Sequence, residues 1–340
     1  MRFFMAVILV FSFFSQLSAD SLNLPQVSEE TIDNGGVVVD SSSEYNVNIA
    51  VFLDKEKFFK FIPNIINSMN AYLIKKDVNY HIKLFNLDKN FATKLDKISP
   101  KYRYIFVYPM ASKDINVIKN YPDNIFFIPT LNQAQATFSA PNVYFGGIDY
   151  QQQVNKLNQY VTGRGVAVYQ DSKLSKYITQ VVQNSAKYGI KVKKYPLKWY
   201  GDMNRAYVYL NLYSIYSVQV LANLTYHRIR TKAILTTQLS YSPTLFLLTS
   251  SYDTKDMILA NSIFNIDPII EDNNNNLNSN IKFNWLNYTT STLLNLAYNM
   301  EVGNNIYYLN DFHLNMFFNQ VQYKTNLYRI FKKGFIKIAN

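Results

Sequence analysis

The sequence predicts an α/β protein of two doubly wound parallel-sheet lobes joined by crossovers, on three observations. Residues 164–195, RGVAVYQDSKLSKYITQVVQNSAKYGIKVKKY, read as one complete strand–helix–strand unit. Apolar strand runs alternate with helical stripes over residues 46–128 and again over 142–237, giving two successive βαβα runs. A further run, MILANSI at 257–263, reads as a strand returning to the first lobe. The first lobe is therefore placed at 46–141 with 257–340 as its closing segment, and the second at 142–256.

Each element follows from local pattern. In the 164–195 unit, 165–170 is a short apolar run of the kind buried on both faces of a parallel sheet. Asp171 or Ser172 caps the next helix, whose Leu174, Tyr177, Ile178, Val181, Val182 and Ala186 keep three- and four-residue spacing. Gly189 suits a left-handed helix terminus, and Ile190 and Val192 alternate with lysines as a strand does. Earlier, 48–53 is a strand and 58–73 a helix with Pro63 in its first turns. Residues 80–87, 102–108 and 125–128 are strands, 92–98 a weak helix, and Ser112 a cap for a short helix ending at 120. The double glycine of 142–150 lets the chain bend as it leaves one sheet for another. Residues 151–161 and 213–229 are helices, and 206–212 and 232–237 strands. Residues 272–280 are an Asn-rich loop, 285–298 a helix, and 328–339 a hairpin around Lys333 and Gly334.

The ends and the composition set the compartment. Residues 1–19 carry one Arg, a hydrophobic stretch and a small residue at Ala19, the pattern of a cleaved signal peptide. Residues 20–45 are polar and aperiodic, a flexible leader. There is no cysteine, which excludes disulfides, thiol catalysis, cysteine-based metal sites and a lipid-modified cysteine. Together these predict a periplasmic chain, exported, soluble and not membrane-spanning after cleavage. The formal charge of +11 points to peptidoglycan or another anionic envelope polymer rather than nucleic acid, the alternative being a generic lysine-rich surface.

No catalytic constellation is present. His81, His227 and His313 are isolated, and no HExxH, GxSxG or GxxxxGK[ST] occurs. One SxxK, at Ser279 and Lys282, lacks the partner motifs of its chemistry. The chain is therefore expected to be no enzyme, with no metal and no cofactor. The 28 Tyr and 24 Phe read mainly as core, with Tyr169 and Tyr213 set apart by their place near strand carboxyl ends.

The order of elements resembles the type I periplasmic-binding-protein superfamily. IFVYPMAS (105–112) and IFFIPTLNQ (125–133) stand where that family has cleft loops, NVYFGGIDYQQQ (142–153) resembles its first crossover, and GVAVYQDSKLSK (165–176) its second-lobe strand and Asp-containing loop. The resemblance implies two lobes joined by three crossovers, a non-catalytic binding role, and a ligand cleft lined from strand carboxyl ends. A small polar solute is expected between Ser112, Thr130 and Asn132 of one lobe and Tyr169, Asp171, Ser172 and Asn211 of the other, with Asp171 pairing an ammonium group. The alternative for Asp171 and Ser172 is that they only cap their helix. The alternative function is an envelope scaffold or regulator, like the activators of peptidoglycan synthases, docking an envelope protein partner. Scarce glycine (10 in the chain) and LAYN at 296–299, where amino-acid binders place an aspartate after the aromatic residue, favour it.

Overall fold

The computed structural model describes residues 36–39, 46–109, 111–331 and 334–338. The signal peptide and nearly all of the leader lie outside the described residues. The chain divides into two units, 1–36 and 37–340, and the sheets and helices are built from the second, the first strand starting at the boundary.

Two sheets form because most strands are apolar enough to bury both faces. The first takes β1 (Gly36–Val39), β2 (Asn46–Leu53), β3 (Asn79–Asn86), β4 (Tyr104–Tyr108), β5 (Ile125–Ile128) and β6 (Val143–Phe145), and later β12 (Tyr308–Leu309), β13 (Leu314–Phe317) and β14 (Gln320–Gln322). Its order is β1-β3-β2-β4-β5-β6-β14-β13-β12. Pairing is parallel from β3 through β14, then antiparallel. The strand β1 falls inside the stretch read as leader, so the folded chain begins earlier than expected.

The second sheet takes β7 (Gly165–Tyr169), β8 (Ile190–Lys194), β9 (Tyr207–Asn211), β10 (Ala233–Thr236), β11 (Met257–Asn261), β15 (Asn326–Phe331) and β16 (Gly334–Lys337), in the order β16-β15-β11-β10-β9-β7-β8. From β8 to β11 it is parallel. The closing β15–β16 hairpin is antiparallel, with Phe331 opposite Gly334.

Sheet membership corrects the expected lobe boundaries. β6 belongs to the first sheet, and β11 extends the second rather than returning to the first. The closing segment is shared, β12 to β14 going to the first sheet and β15 and β16 to the second. The reason is that a short run buried on both faces looks the same whichever parallel sheet it joins; β11 is buried at every position.

The double glycine marks the first crossover as read. Gly146 N–H donates to Ile128 O at 2.9 Å and Gly147 N–H to Leu131 O at 2.9 Å. A Cβ on Gly147 would meet the Leu131 carbonyl carbon at 2.1 Å, so only glycine lets the backbone pass there.

Helices α1 (Ile62–Lys76), α2 (Phe91–Ile98), α3 (Tyr150–Asn158), α4 (Lys173–Ser185), α5 (Ser214–Tyr226), α6 (Pro268–Asn276) and α7 (Trp285–Glu301) cover the sheets. Pro63 falls in the first turn of α1, where it removes no helical bond. α6 replaces the expected Asn-rich loop. Asp267 caps it by accepting from Ile269 N–H, Pro268 opens it, and Asn273 and Asn274 donate to Ala71 O and Ile270 O. The local cap and the tertiary bond to Ala71 O override the weak helix propensity of asparagine. Ser112 lies inside a 3-10 helix, Ser112–Asn120, instead of capping it. Gly189 is not left-handed, because α4 already ends at Ser185 with Ala186 extended.

The threonines of α7 are buried and bonded. Tyr108 Oη lies 2.9 Å from Thr290 Oγ1, Ser68 Oγ 2.9 Å from Ser291 Oγ, and Tyr323 Oη 2.9 Å from Thr292 Oγ1. Its leucines, among them Leu293 and Leu296, join the largest apolar cluster, which also takes side chains from both sheets. Below it Lys75 and Lys76 clamp Asp311 at 2.7 Å each, and Lys75 reaches Asp267 at 2.8 Å. Burial pushes the Asp311 carboxyl up, but these bonds and that from Tyr72 outweigh it and hold it below the usual range.

Candidate functional site

The chain passes between the sheets three times: after β6 through α3, after β11 through α6 and α7, and between β14 and β15 at residues 323–325. A buried knot of amides and hydroxyls ties these passages together. Gln153 on α3 donates through Nε2 to Gln238 Oε1 at 2.7 Å and to Ser262 Oγ at 2.9 Å, and accepts from Gln238 N–H at 3.1 Å. Ser262 Oγ lies 3.2 Å from Thr325 Oγ1, and Thr325 Oγ1 donates to Gln152 Oε1 at 2.6 Å. Each crossover thus holds the others through neutral groups.

Two atoms beside this knot lack partners. Tyr150 Oη and Gln238 Nε2 are buried and close no hydrogen bond of good geometry, although Gln238 reaches the Tyr150 hydroxyl closely enough to lower its pKa against the rise that burial causes. Burial pushes the Tyr150 hydroxyl pKa up, so it stays a donor at neutral pH. Tyr213 and Tyr177 stand near enough to Tyr150 to raise its pKa further. Tyr213 follows β9 and gives its N–H to Gln170 Oε1 at 2.9 Å. Tyr177, on α4 of the second lobe, lies against Gln135 of the first-lobe loop after β5.

The seven expected ligand contacts fall into two sets whose hydrogen bonds are already used nearby. Ser112 Oγ accepts from Thr137 N–H at 2.7 Å, and Thr130 Oγ1 donates to Pro109 O at 3.0 Å. Asn132 Oδ1 accepts from Ala134 N–H at 2.9 Å and its Nδ2 donates to Gly147 O at 3.3 Å. In the second lobe Asn211 is buried and donates to Thr179 Oγ1 at 2.8 Å. Ser172 accepts from Ser175 N–H at 3.2 Å, so it is the helix cap. Asp171 pairs with ammonium groups of its own chain, Lys176 and Lys194, which hold its exposed carboxyl down at about 2. Tyr169 ends β7, half-buried, with its carbonyl accepting from Tyr195 N–H at 2.7 Å.

The residues that sequence reasoning missed are Tyr150, Gln153 and Gln238. One signal existed: Gln153 lies on the α3 stripe with Tyr150, Val154 and Leu157, all buried, and a glutamine on an apolar stripe needs buried partners. A groove of about 600 Å³ at the carboxyl ends of β2, β3 and β4, lined by Asp54, Lys57, Asn86, Asp88, Lys113 and Asp114, was missed as well. Three of its carboxylates are engaged, Asp54 with Lys57, Asp88 with Lys94 at 2.7 Å and Asp114 with Ala111 N–H at 3.0 Å, and Glu56 also lines it.

No family model and no curated protein matches the sequence. Solved structures do match in shape. Among them is an extracellular ligand-binding receptor from Desulfohalobium retbaense, at TM-score 0.61 and 12% identity over 86% of this chain and 59% of that one. The leucine-binding protein LivK of Thermotoga maritima aligns at TM-score 0.58 and 11% identity, over 86% of this chain and 98% of its own. The fold is the type I periplasmic-binding-protein fold. Full-length LpoA from Haemophilus influenzae shares it, at TM-score 0.59 and 12% identity over 88% of this chain. The chain spans about three fifths of the length of the Desulfohalobium receptor and of LpoA. The Tyr150–Gln238 pair lies beside the polar knot that joins the three crossovers. Among the described residues no helix is long and apolar enough to cross a membrane.

Proposed function

We propose that this chain is a non-catalytic periplasmic binding protein that holds a small polar solute between its lobes. The observation that carries the reading is the pair of buried, unpartnered donors, Tyr150 Oη and Gln238 Nε2. An unmet buried polar group costs about 1–3 kcal/mol, a cost that a ligand acceptor removes on binding. Two convergent donors fit a carboxylate or carbonyl oxygen, and the rings of Tyr177 and Tyr213 fit the apolar part of the same solute.

Thermal-shift screening with amino acids, short peptides and sugars tests the reading. At a hundredfold excess over Kd a true ligand stabilises by about 2.7 kcal/mol. Tyr150→Phe should raise the melting point of the free protein and remove the ligand's effect. A hit retained by both Tyr150→Phe and Gln238→Ala would overturn the site.

One observation favours the second reading, an envelope scaffold. Phe317 and Phe318, 62% and 74% exposed, form an apolar tip on the β13–β14 hairpin, where Phe318 holds φ +48°. Hairpin turns normally give such a position to glycine or asparagine. Recovery of a stoichiometric protein complex that is lost in Phe317→Ser, Phe318→Gly, with no solute effect on melting, would establish the scaffold instead.

A further inference from the structure

The second lobe carries a different surface at the opposite end of its sheet. Strands β7, β9 and β10 run parallel, so the residues just before them share one edge, away from the cleft. Arg164 precedes β7, Arg205 lies just before β9, and Arg228, Arg230 and Lys232 lead into β10. Between residues 187 and 232 the sequence has nine basic side chains and one acidic, Asp202, which pairs with Lys191 and Lys193. The loops are knitted together: Arg164 Nη2 donates to Asn204 O at 2.8 Å and Arg205 N–H to Arg230 O at 2.7 Å. Among the described residues none of these four arginines has an ion-pair partner.

Two of them sit where an arginine is unfavourable. Arg205 has φ +54° and Arg228 φ +55°. Arg228 occupies the residue after the α5 cap in a Schellman motif, with Ile229 N–H donating to Leu224 O at 2.9 Å and Arg228 N–H to Thr225 O at 3.0 Å. That position favours glycine, because a left-handed backbone crowds the Cβ of any other residue. The fold accepts this crowding while presenting the guanidinium to solvent.

Two cavities meet on this face at Ile229. One, of about 510 Å³, is lined by Pro196, Leu197, Trp199, Asn223 and His227. The other, of about 410 Å³, is lined by Arg228, Arg230, Tyr252 and Lys255, with Asp253 and Asp256 at its rim. Exposed rings flank both: Trp199 at 67%, Tyr226 at 79% and Tyr252 at 62%. Trp199 lies on Gly201, where a Cβ would come within 2.4 Å of the indole, so its ring is held in place.

We propose that this face binds a stretch of anionic glycan. Sugar rings present apolar faces that stack on fixed aromatic rings, and their carboxylates match the planar fork of arginine. Charge alone would explain the arginines but not the exposed indole that lines one of the two grooves.

Calorimetry on the full chain at 0.15 M salt, with a hyaluronate hexasaccharide, neutral chitohexaose and short-chain polyphosphate, tests this. The hyaluronate probe should bind, with affinity falling as salt rises, and at least about tenfold more tightly than either control. Trp199→Ala should weaken it about tenfold, and Arg228→Gly about fivefold, while Arg228→Gly leaves the melting point unchanged or higher. That second variant separates lost binding from lost folding. Equal binding of polyphosphate, no binding of hyaluronate, or full binding by both variants would overturn the proposal. Tyr150→Phe should leave hyaluronate binding unchanged, so the result is independent of the cleft.

Discussion

The two ends of the second sheet solve opposite problems. At the carboxyl end the polar groups are neutral, buried and mostly bonded to one another: Gln170 to Tyr213, Asn211 to Thr179, Gln238 to Gln153 and Ser262. At the amino end they are arginines that keep their charge in water, and their loops are held by backbone bonds and by the Arg164 guanidinium on Asn204 O. A neutral, dry knot fixes geometry and discriminates by hydrogen-bond count. A wet basic edge attracts over distance and is screened by salt. One lobe therefore has a rigid polar floor and an electrostatic face back to back.

The largest test of this contrast is Gln153→Ala. It strips Gln238 N–H and Ser262 of buried partners, and urea unfolding should show a loss of about 3 kcal/mol. A loss below about 1 kcal/mol would mean that the knot is hydrated and that the two ends differ little. Next, Tyr150→Phe should gain about 1 kcal/mol by deleting an unpartnered hydroxyl, measured the same way without ligand. A loss of stability would show that the hydroxyl is bonded in solution. At the other end, Arg228→Gly should gain up to about 1 kcal/mol through relief of the left-handed strain. The smallest effect is at Asp171. Its carboxyl is held down by Lys176 and then Lys194, so any stabilisation it gives is present above the ordinary carboxylate range and lost only as pH falls through about 2. Because it is exposed, Asp171→Asn should leave the urea midpoint between pH 4 and 7 unmoved, and NMR titration of the wild type should place the carboxyl near 2.

How far the sequence could be read follows the same division. The unit at 164–195 was legible because its information is local: the apolar run of β7, the Ser172 cap and the stripe of α4 need no distant partner. Sheet membership of β6 and β11 was not, since pairing of strands far apart leaves no mark in a fully apolar run. The expected cleft contacts were read from local chemistry alone. Ser112, Thr130 and Asn132 have the right chemistry, but nearby backbone groups take their hydrogen bonds. Tyr150 and Gln238 are brought together only by the crossovers, 88 positions apart in sequence.

The short crossover at residues 323–325 has a consequence for assembly. On one side of it β14 covers the outer edge of β6, and on the other β15 covers that of β11. A growing chain therefore carries two unfinished sheets, each with a bare parallel edge, until its last few residues are available, and then completes both in one movement. Neither lobe can mature alone, so a chain cut before Gln320 keeps every helix from α1 to α7 yet exposes two strand edges that invite self-association. Strands β14 and β15 act as a release check on both sheets: a product cut before Gln320 should be recovered as aggregate or degraded, and not as a protein with one good lobe.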